Sequence, residues 1–203
     1  MVREGLSVLI GGEGDLHVCG TAGSIAETMP ALHEAKPDVV VVDITLGDGN
    51  GLDLIEEIHR QYPEMPILVL SMHDEAVYGE RALRAGAKGY IMKSEAMDKV
   101  RLAIRRVLQG EIYVSESMAT RMVHKLINLR VPKVPSLLDT LSDREFQIFR
   151  MIADGVGPTE IAQKLHVSVK TIETHREHIK DKLGVKNGAE LRKFASEWLN
   201  ESR

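Results

Sequence analysis

The 203-residue chain has one cysteine and no long apolar run. A single thiol, Cys19, excludes an internal disulfide and suits the reducing cytosol. No apolar run is longer than residues 39–42, which fall far short of the ~20 residues of a membrane span. Glu4 interrupts the apolar start of the chain, so we expect no secretory signal there. These absences predict a cytoplasmic protein with no membrane partner, in which Cys19 fills a buried space.

The chain also lacks a positive net charge: its formal value is −4, which taken alone argues against a nucleic-acid partner. The charge is unevenly distributed. Residues 1–112 have 18 acidic and 11 basic side chains, residues 113–139 have two and four, and residues 140–203 have ten and eleven. The first part would repel DNA, whereas the last part tolerates it. DNA binding would therefore need a local basic cluster and would be favoured by a dimer.

Short apolar runs alternate with helical patterns over the first part of the chain. The predicted strands are residues 17–20, 38–43, 66–71 and 89–93, and the predicted helices are residues 1–10, 24–35, 51–62, 75–86 and 95–110. This alternation predicts an α/β fold whose parallel sheet is covered by helices on both faces. We assign residues 1–112 to this domain.

The rest of the chain has no strand pattern. A serine-capped helix is predicted over residues 115–128, and residues 129–140 carry two prolines without periodicity. We therefore predict a helix and interdomain linker over residues 113–140. Residues 141–203 are predicted to form a second, all-α domain that ends in a helix over residues 188–200.

Residues 141–185 predict three helices separated by tight breaks. Ser142 is placed to cap the first helix, and the glycines within residues 155–157 end it. Pro158 suits the first position of the short second helix, and Ser168 is placed to cap the third. This is the pattern of a helix-turn-helix unit, whose last helix enters the DNA major groove.

The last of these three helices has an apolar and a polar face. Its core stripe is Ile172, His175, Ile179 and Leu183. The candidate phosphate contacts are Lys170, Thr171, Arg176 and Lys180, and the candidate base-edge contacts are Glu173, Thr174 and Glu177. Carboxylates there could accept from cytosine N4, but they also oppose the attraction of DNA. The alternative is an ordinary amphipathic helix whose charged face is solvated.

The segments LSDRE, GPTEIAQKL, SVKTIETH and KLGVKN closely resemble the LuxR-type helix-turn-helix of NarL/FixJ response regulators. The resemblance runs without a gap and implies a domain that binds double-stranded DNA. Gly157 departs from the family pattern, because serine or threonine more often caps the second helix at that position.

Polar side chains end three successive predicted strands in the first domain: Asp43, Ser71 and Lys93. Because the carboxyl ends of parallel strands share one edge, these side chains should converge in one crevice. A carboxylate nucleophile, a hydroxyl and an ammonium suit phosphoryl transfer to Asp43, and an inward shift of Ser71 would leave space for Tyr90. Each residue has a plainer alternative: Asp and Ser often cap loops, Lys is usually solvated, and Tyr90 could be a rim aromatic. Together they favour a site.

The segments VVVVDITLGDGNG, ILVLSMHD and ALRAGAKGYIMK resemble the receiver domain of response regulators. The resemblance implies a flavodoxin-like fold with the sheet order 2-1-3-4-5. It also implies the following roles: phosphorylation at Asp43, switching by Ser71, Tyr90 and Lys93, and Mg²⁺ binding by Asp43 and the Thr45 backbone. Gly47 stands where such domains usually have proline, which loosens the loop after the acceptor.

The resemblance to a receiver is incomplete at its start. The first strand of a receiver normally ends in an acidic pair that holds Mg²⁺, but here the helix after that strand comes first, and Glu13 and Asp15 fall in a later turn. A missing central strand would leave two rows of backbone groups unpaired. With Asp43 as the one carboxylate left for Mg²⁺, we expect weak Mg²⁺ binding and slow phosphorylation. A late start of the chain and a degenerate receiver both explain this pattern.

Three functions can be considered for these sequence features. The favoured one is a non-enzymatic transcription regulator in which a sensor histidine kinase phosphorylates Asp43 and thereby frees or dimerises the DNA-binding domain. The second is a phosphorylation-independent DNA-binding protein that uses residues 1–112 for dimerisation. The third is a small phosphatase with Asp43 as nucleophile, which lacks a second general acid and a glycine-rich phosphate loop and leaves residues 141–198 unexplained.

Overall fold

The computed structural model of the protein describes residues 2–11, 14–46, 49–128 and 137–201. The chain divides into two compact units, Met1–Asn128 and Leu129–Arg203. The first unit is α/β and the second is helical. None of the helices in the described ranges has the length and apolar character needed to cross a membrane.

The first unit is built on a parallel sheet, as the sequence predicts. Its elements are α1 (Val2–Gly11), α2 (Ile25–Ala35), β1 (Val40–Val42), β2 (Thr45–Leu46), β3 (Gly49–Asn50), α3 (Gly51–Gln61), β4 (Ile67–Ser71), α4 (Glu75–Arg84), β5 (Gly89–Met92), α5 (Met97–Leu108) and α6 (Glu116–Asn128). The parallel strands lie in the order β1-β4-β5, and β2 and β3 form a separate antiparallel pair. The predicted α/β class with a parallel sheet is therefore confirmed.

The strand predicted over residues 17–20 is wrong, because these residues adopt no strand conformation. A strand forms only where a neighbour supplies hydrogen bonds, and within the described ranges β1 has β4 as its one partner. Within these ranges, residues 17–20 pair with no strand of the sheet. Cys19 is exposed, so the expectation of a buried cysteine is also wrong.

The core of the first unit lies on both sides of β4, all five residues of which are buried. Alternation along the strand directs Leu68 and Leu70 toward a cluster that includes residues of α5. From α1, Leu6 and Ile10 pack against the same cluster. This packing fixes the strands whose carboxyl ends carry the candidate site.

Helix α6 packs on α4 within the first unit. Ser115 caps it as predicted, with its Oγ accepting from Met118 N at 3.1 Å. The buried carboxylate of Glu75 accepts from Ser115 N at 2.8 Å, and Met118 lies against Gly79, where a Cβ would come within 2.5 Å of its sulfur. Lys125 adds an ion pair with Glu80 at 2.8 Å.

The second unit contains four α-helices within the described residues. They are α7 (Asp143–Ala153), α8 (Pro158–Lys164), α9 (Val169–Leu183) and α10 (Gly188–Glu201), preceded by a 3-10 helix over Leu137–Thr140. Trp198 of α10 packs against Phe146 and Phe149, with ring centroids 5.9 and 5.4 Å apart. An aromatic core of this kind holds α10 against α7.

Three helix starts in the second unit follow the predicted local chemistry. Ser142 and Glu145 form a capping box on α7, Pro158 occupies the first turn of α8, and Ser168 caps α9. Helix α9 ends at Gly184, whose φ of 67° is the left-handed conformation that glycine adopts readily. The three-helix arrangement predicted for residues 141–185 is confirmed.

Candidate functional site

The carboxyl ends of β1, β4 and β5 bring three predicted residues together. Asp43 follows β1, Ser71 ends β4 and Lys93 follows β5. Lys93 N donates to Ser71 O at 2.8 Å, which joins the last two strand ends. We call the sheet edge formed by Asp43, Ser71 and Lys93 the aspartate crevice.

Asp43 is engaged by donors on both carboxylate oxygens. Its Oδ1 accepts from Thr45 N at 3.0 Å, and its Oδ2 pairs with Lys93 Nζ. The Asp43 side chain is 29% exposed and the Lys93 side chain 16% exposed. The carboxylate is thus held beside a cation yet remains open to an incoming reactant.

Ser71 and Tyr90 are linked through one loop residue, His73. Ser71 is fully buried, and its Oγ accepts from His73 N at 3.0 Å. The Tyr90 hydroxyl donates to His73 O at 2.8 Å, and the residue is buried, so it is not a rim aromatic. Burial raises the pKa of Tyr90 well above its ordinary value, so the phenol stays protonated and can donate.

The sequence analysis missed His73. Its Nε2 lies 2.9 Å from Thr45 Oγ1, so a single residue in the loop after β4 contacts Thr45 of β2, Ser71 of β4 and Tyr90 of β5. Its position two residues after Ser71 was the only available signal, because its hydrogen bonds join residues far apart in the chain.

Gly51 allows α3 to start directly behind Asp43. A Cβ at this position would lie 2.4 Å from Asp43 O and 2.5 Å from the Cα of Ile44. Asn50 caps the helix, with its Oδ1 accepting from Leu52 N at 3.1 Å. The close approach of α3 to the Asp43 backbone therefore requires glycine.

The described residues fit Mg²⁺ poorly. Within the described ranges, no group of three or more His, Cys, Asp or Glu side chains is placed to hold a metal ion. Asp15 instead pairs with Arg105 at 2.8 Å, while Glu13 and Gly47 lie outside the described residues. Receiver domains generally use Mg²⁺, which takes one or two carboxylates besides phosphate and water. Asp43 alone, with both carboxylate oxygens already engaged, should bind Mg²⁺ weakly.

Helix α9 presents the predicted DNA-contacting side chains in two different settings. Lys170, Thr174 and Glu177 are exposed. Arg176 and Lys180 are only 14% and 17% exposed, and each pairs with a carboxylate three residues earlier, at 2.8 and 2.7 Å respectively. Two predicted phosphate contacts are therefore neutralised by the predicted base contacts Glu173 and Glu177. Thr171 is partly buried, and its hydroxyl lies 2.8 Å from Ser168 Oγ.

The opposite side of α9 is fixed to α7. Ile172, Ile179 and Leu183 are buried, and Lys182 Nζ lies 2.6 Å from Glu145 Oε2. Burial raises the pKa of Glu145, but Lys182 and the Ser142 N–H outweigh it and hold that pKa below its ordinary value. This anchoring keeps the outer face of α9 available.

Family models cover both units. The response regulator receiver domain matches residues 1–105, and the bacterial regulatory proteins of the luxR family match residues 139–195. The two matches coincide with the α/β unit and the helical unit.

Whole-chain similarities agree with this division. Oxygen regulatory protein NreC of Staphylococcus aureus strain JH9 and of Staphylococcus haemolyticus strain JCSC1435 are each 39% identical over 199 residues, covering 96% of this chain and 92% of the relative. The RcsB response regulator of Salmonella typhimurium has a similar structure, with a TM-score of 0.64, 25% identity, and coverage of 97% of this chain and 92% of that one. RcsB of Salmonella enterica serovar Typhimurium, bound to promoter rprA in the presence of phosphomimetic BeF3⁻, is also similar. Its TM-score is 0.60 and its identity 25%, with coverage of 96% of this chain and 93% of that one. The chain therefore belongs to the NarL/FixJ family of response regulators, in which a receiver domain precedes a LuxR-type helix-turn-helix domain.

Proposed function

We propose that phosphorylation of Asp43 controls DNA binding by α9 in this transcription regulator. The observation that carries the proposal is the partly exposed Asp43 carboxylate paired with Lys93, whose backbone N donates to the O of the buried Ser71. We take a sensor histidine kinase as the phosphoryl donor, and double-stranded DNA as the target. The cytoplasmic location remains a prediction from the sequence.

The transfer step uses this chain's own residues. A carboxylate oxygen of Asp43 attacks the phosphorus atom while the bond from phosphorus to the donor breaks, and the donor leaves. The Lys93 ammonium then balances the added negative charge. The Ser71 hydroxyl, whose Oγ accepts from His73 N and which is hydrogen-bonded to the Tyr90 side chain, can turn its own hydrogen to a phosphoryl oxygen.

The signal passes from the crevice to α6 through the loop at His73. Drawing Ser71 toward a phosphoryl group pulls on His73 N, while Tyr90 holds His73 O. Helix α4 begins two residues later, and its Glu75 holds the first turn of α6. We infer two arrangements of this loop, with phosphorylation favouring one of them.

Intact-mass analysis after incubation with acetyl phosphate and Mg²⁺ tests the acceptor. We expect the wild-type chain to gain the mass of one phosphoryl group and Asp43→Asn to gain none. Modification of both proteins would place the acceptor elsewhere. Steady release of phosphate from a phosphate ester, lost in Asp43→Asn, would instead reveal an enzyme.

A second candidate function follows from the poor fit to Mg²⁺ in the described residues. In this candidate the receiver dimerises the chain without being phosphorylated. This candidate would be favoured if the wild type gained no phosphoryl group and bound DNA equally well before and after incubation with acetyl phosphate and Mg²⁺. Dimerisation itself is supported by the similar structure of two RcsB dimers bound to two parallel DNAs. That structure has a TM-score of 0.56 and 26% identity with this chain.

Gel-shift titration tests the DNA-binding face of α9. Lys170 is exposed, so Lys170→Ala should weaken binding to every duplex. The slope of the logarithm of the binding constant against the logarithm of the salt concentration should become shallower by about one. Glu173→Ala or Thr174→Ala should alter the sequence preference instead. If all three variants bound DNA as the wild type does, α9 would be the wrong helix.

A further inference from the structure

The flank of α9 that carries the candidate phosphate contact Arg176 lies beside α10, which the proposed function does not use. Lys170, Thr174 and Glu177 lie on the outer face of the helix, at a spacing of three to four residues. Arg176 lies about 100° around the helix from Glu177, toward α10. When the outer face of a helix meets base edges in the major groove, its flanks approach the sugar–phosphate walls of that groove.

Two guanidinium groups meet on this flank. Arg176 Nη2 lies 3.1 Å from the position that a Cβ on Gly188 would take, and Arg192 Nη1 lies 3.9 Å from the same position. Because Gly188 has no side chain, both arginines can occupy the space in front of the first turn of α10.

The negative charge around these arginines is insufficient to neutralise both. Arg176 Nη1 donates to Glu173 at 2.8 Å, whereas the exposed Arg192 has no carboxylate partner within residues 137–201. Glu190, in the same turn of α10, is already engaged by Lys186 N at 2.8 Å and Asn187 Nδ2 at 3.0 Å. Two neighbouring cations with one carboxylate between them favour an additional anion.

We propose that Arg176 and Arg192 together bind one backbone phosphate of DNA, so that the start of α10 is part of the DNA interface. The proposal rests on the proposed function of α9. Guanidinium groups suit this ligand because their planar N–H donors match the oxygens of a phosphate. The contact carries no sequence information, since every nucleotide offers the same phosphate.

Fluorescence anisotropy titration of a mixed-sequence DNA duplex at several KCl concentrations tests this site in the full chain, after incubation with acetyl phosphate and Mg²⁺. Arg192→Gln should weaken binding about tenfold and reduce the salt slope by about 0.9. Arg192→Lys should keep the slope while losing part of the affinity, because it retains the charge but not the planar donors. Lys193→Gln is the matched control: its side chain is 77% exposed and pairs with Glu197 at 3.8 Å, so binding should not change.

The outcomes separate this inference from the proposed function. If Lys170→Gln lowered affinity and slope while Arg192→Gln behaved like Lys193→Gln, DNA binding by α9 would stand and the phosphate site would be rejected. Loss of affinity in Arg192→Gln with an unchanged salt slope would also reject it. A wild-type chain without salt-dependent DNA binding would reject both.

Discussion

The side chain of Glu145 joins the start of α7 to α9 in the second unit. Its carboxylate accepts from Ser142 N at 2.8 Å, pairs with Lys182 at 2.6 Å and lies 3.9 Å from His178 Nδ1. The side chain is only 5% exposed, so water cannot replace these partners. One carboxylate therefore both begins α7 and anchors α9.

Glu145→Gln should destabilise the second unit by about 1–3 kcal/mol at neutral pH, because Lys182 loses its charged partner. The pKa of Glu145 is held below its value in the unfolded chain, about 4.3. Its stabilisation is therefore complete above that pH and is lost as the pH falls through the folded-state pKa.

Urea unfolding from neutral to acidic pH measures this contribution. The wild type should lose stability on acidification more steeply than Glu145→Gln does. Glu160→Gln is a suitable control, because Glu160 is 56% exposed and its pair with Lys164 should contribute little. Equal stability of both variants at neutral pH would contradict the role given to Glu145.

Some residues of the candidate sites could be predicted from the sequence, whereas some of their contacts could not. The spacing of Asp43, Ser71 and Lys93 at strand ends was visible in the sequence, because strand ends follow from local apolar patterns. The contacts of His73 were not, since they depend on how the loop after β4 meets residues of β2, β4 and β5. The pairs of Arg176 and Lys180 with glutamates have helical spacing, but their burial depends on neighbouring helices.

At the scale of elements, α3 illustrates how a backbone contact positions the site. The helix starts at Gly51, against the backbone of Asp43 and Ile44. Its Asn50 cap could be anticipated from local chemistry, as could Ser142 and Ser168. Whether residues 17–20 form a strand could not be judged locally, because a strand needs a partner.

Gly51→Ala should destabilise the first unit by about 1–3 kcal/mol or more, because its Cβ would overlap backbone atoms that cannot rotate away. Gly5→Ala is the matched control: nothing lies within 4 Å of the added Cβ, and the change should stabilise α1 by about 1 kcal/mol. Denaturant unfolding of the two variants gives the comparison. A harmless Gly51→Ala would mean that α3 does not approach Asp43 this closely.

At the scale of the whole molecule, the two units differ in architecture and charge. The receiver unit has a parallel sheet, and the second unit is a helical cluster with an aromatic core. Residues 1–112 have 18 acidic and 11 basic side chains, and this part of the chain does not include the helices proposed to meet DNA. The proposed switch therefore divides between two folds with separate cores.

Calorimetry of the full chain should resolve two transitions. Gly51→Ala should lower the midpoint temperature of the first unit's transition, and Glu145→Gln that of the second unit's transition. Each midpoint should fall by roughly 2–8 °C per kcal/mol of stability lost. A common shift of both transitions in either variant would show that the units unfold as one cooperative block.

The distribution of aromatic residues has a spectroscopic consequence. All four tyrosines lie before residue 114, whereas the one tryptophan, Trp198, packs on the phenylalanines of α7. Indole emission therefore senses only the helical half, and phenol ultraviolet absorbance senses only the sheet-containing half. Without any attached dye, the protein can indicate which half loses its structure first.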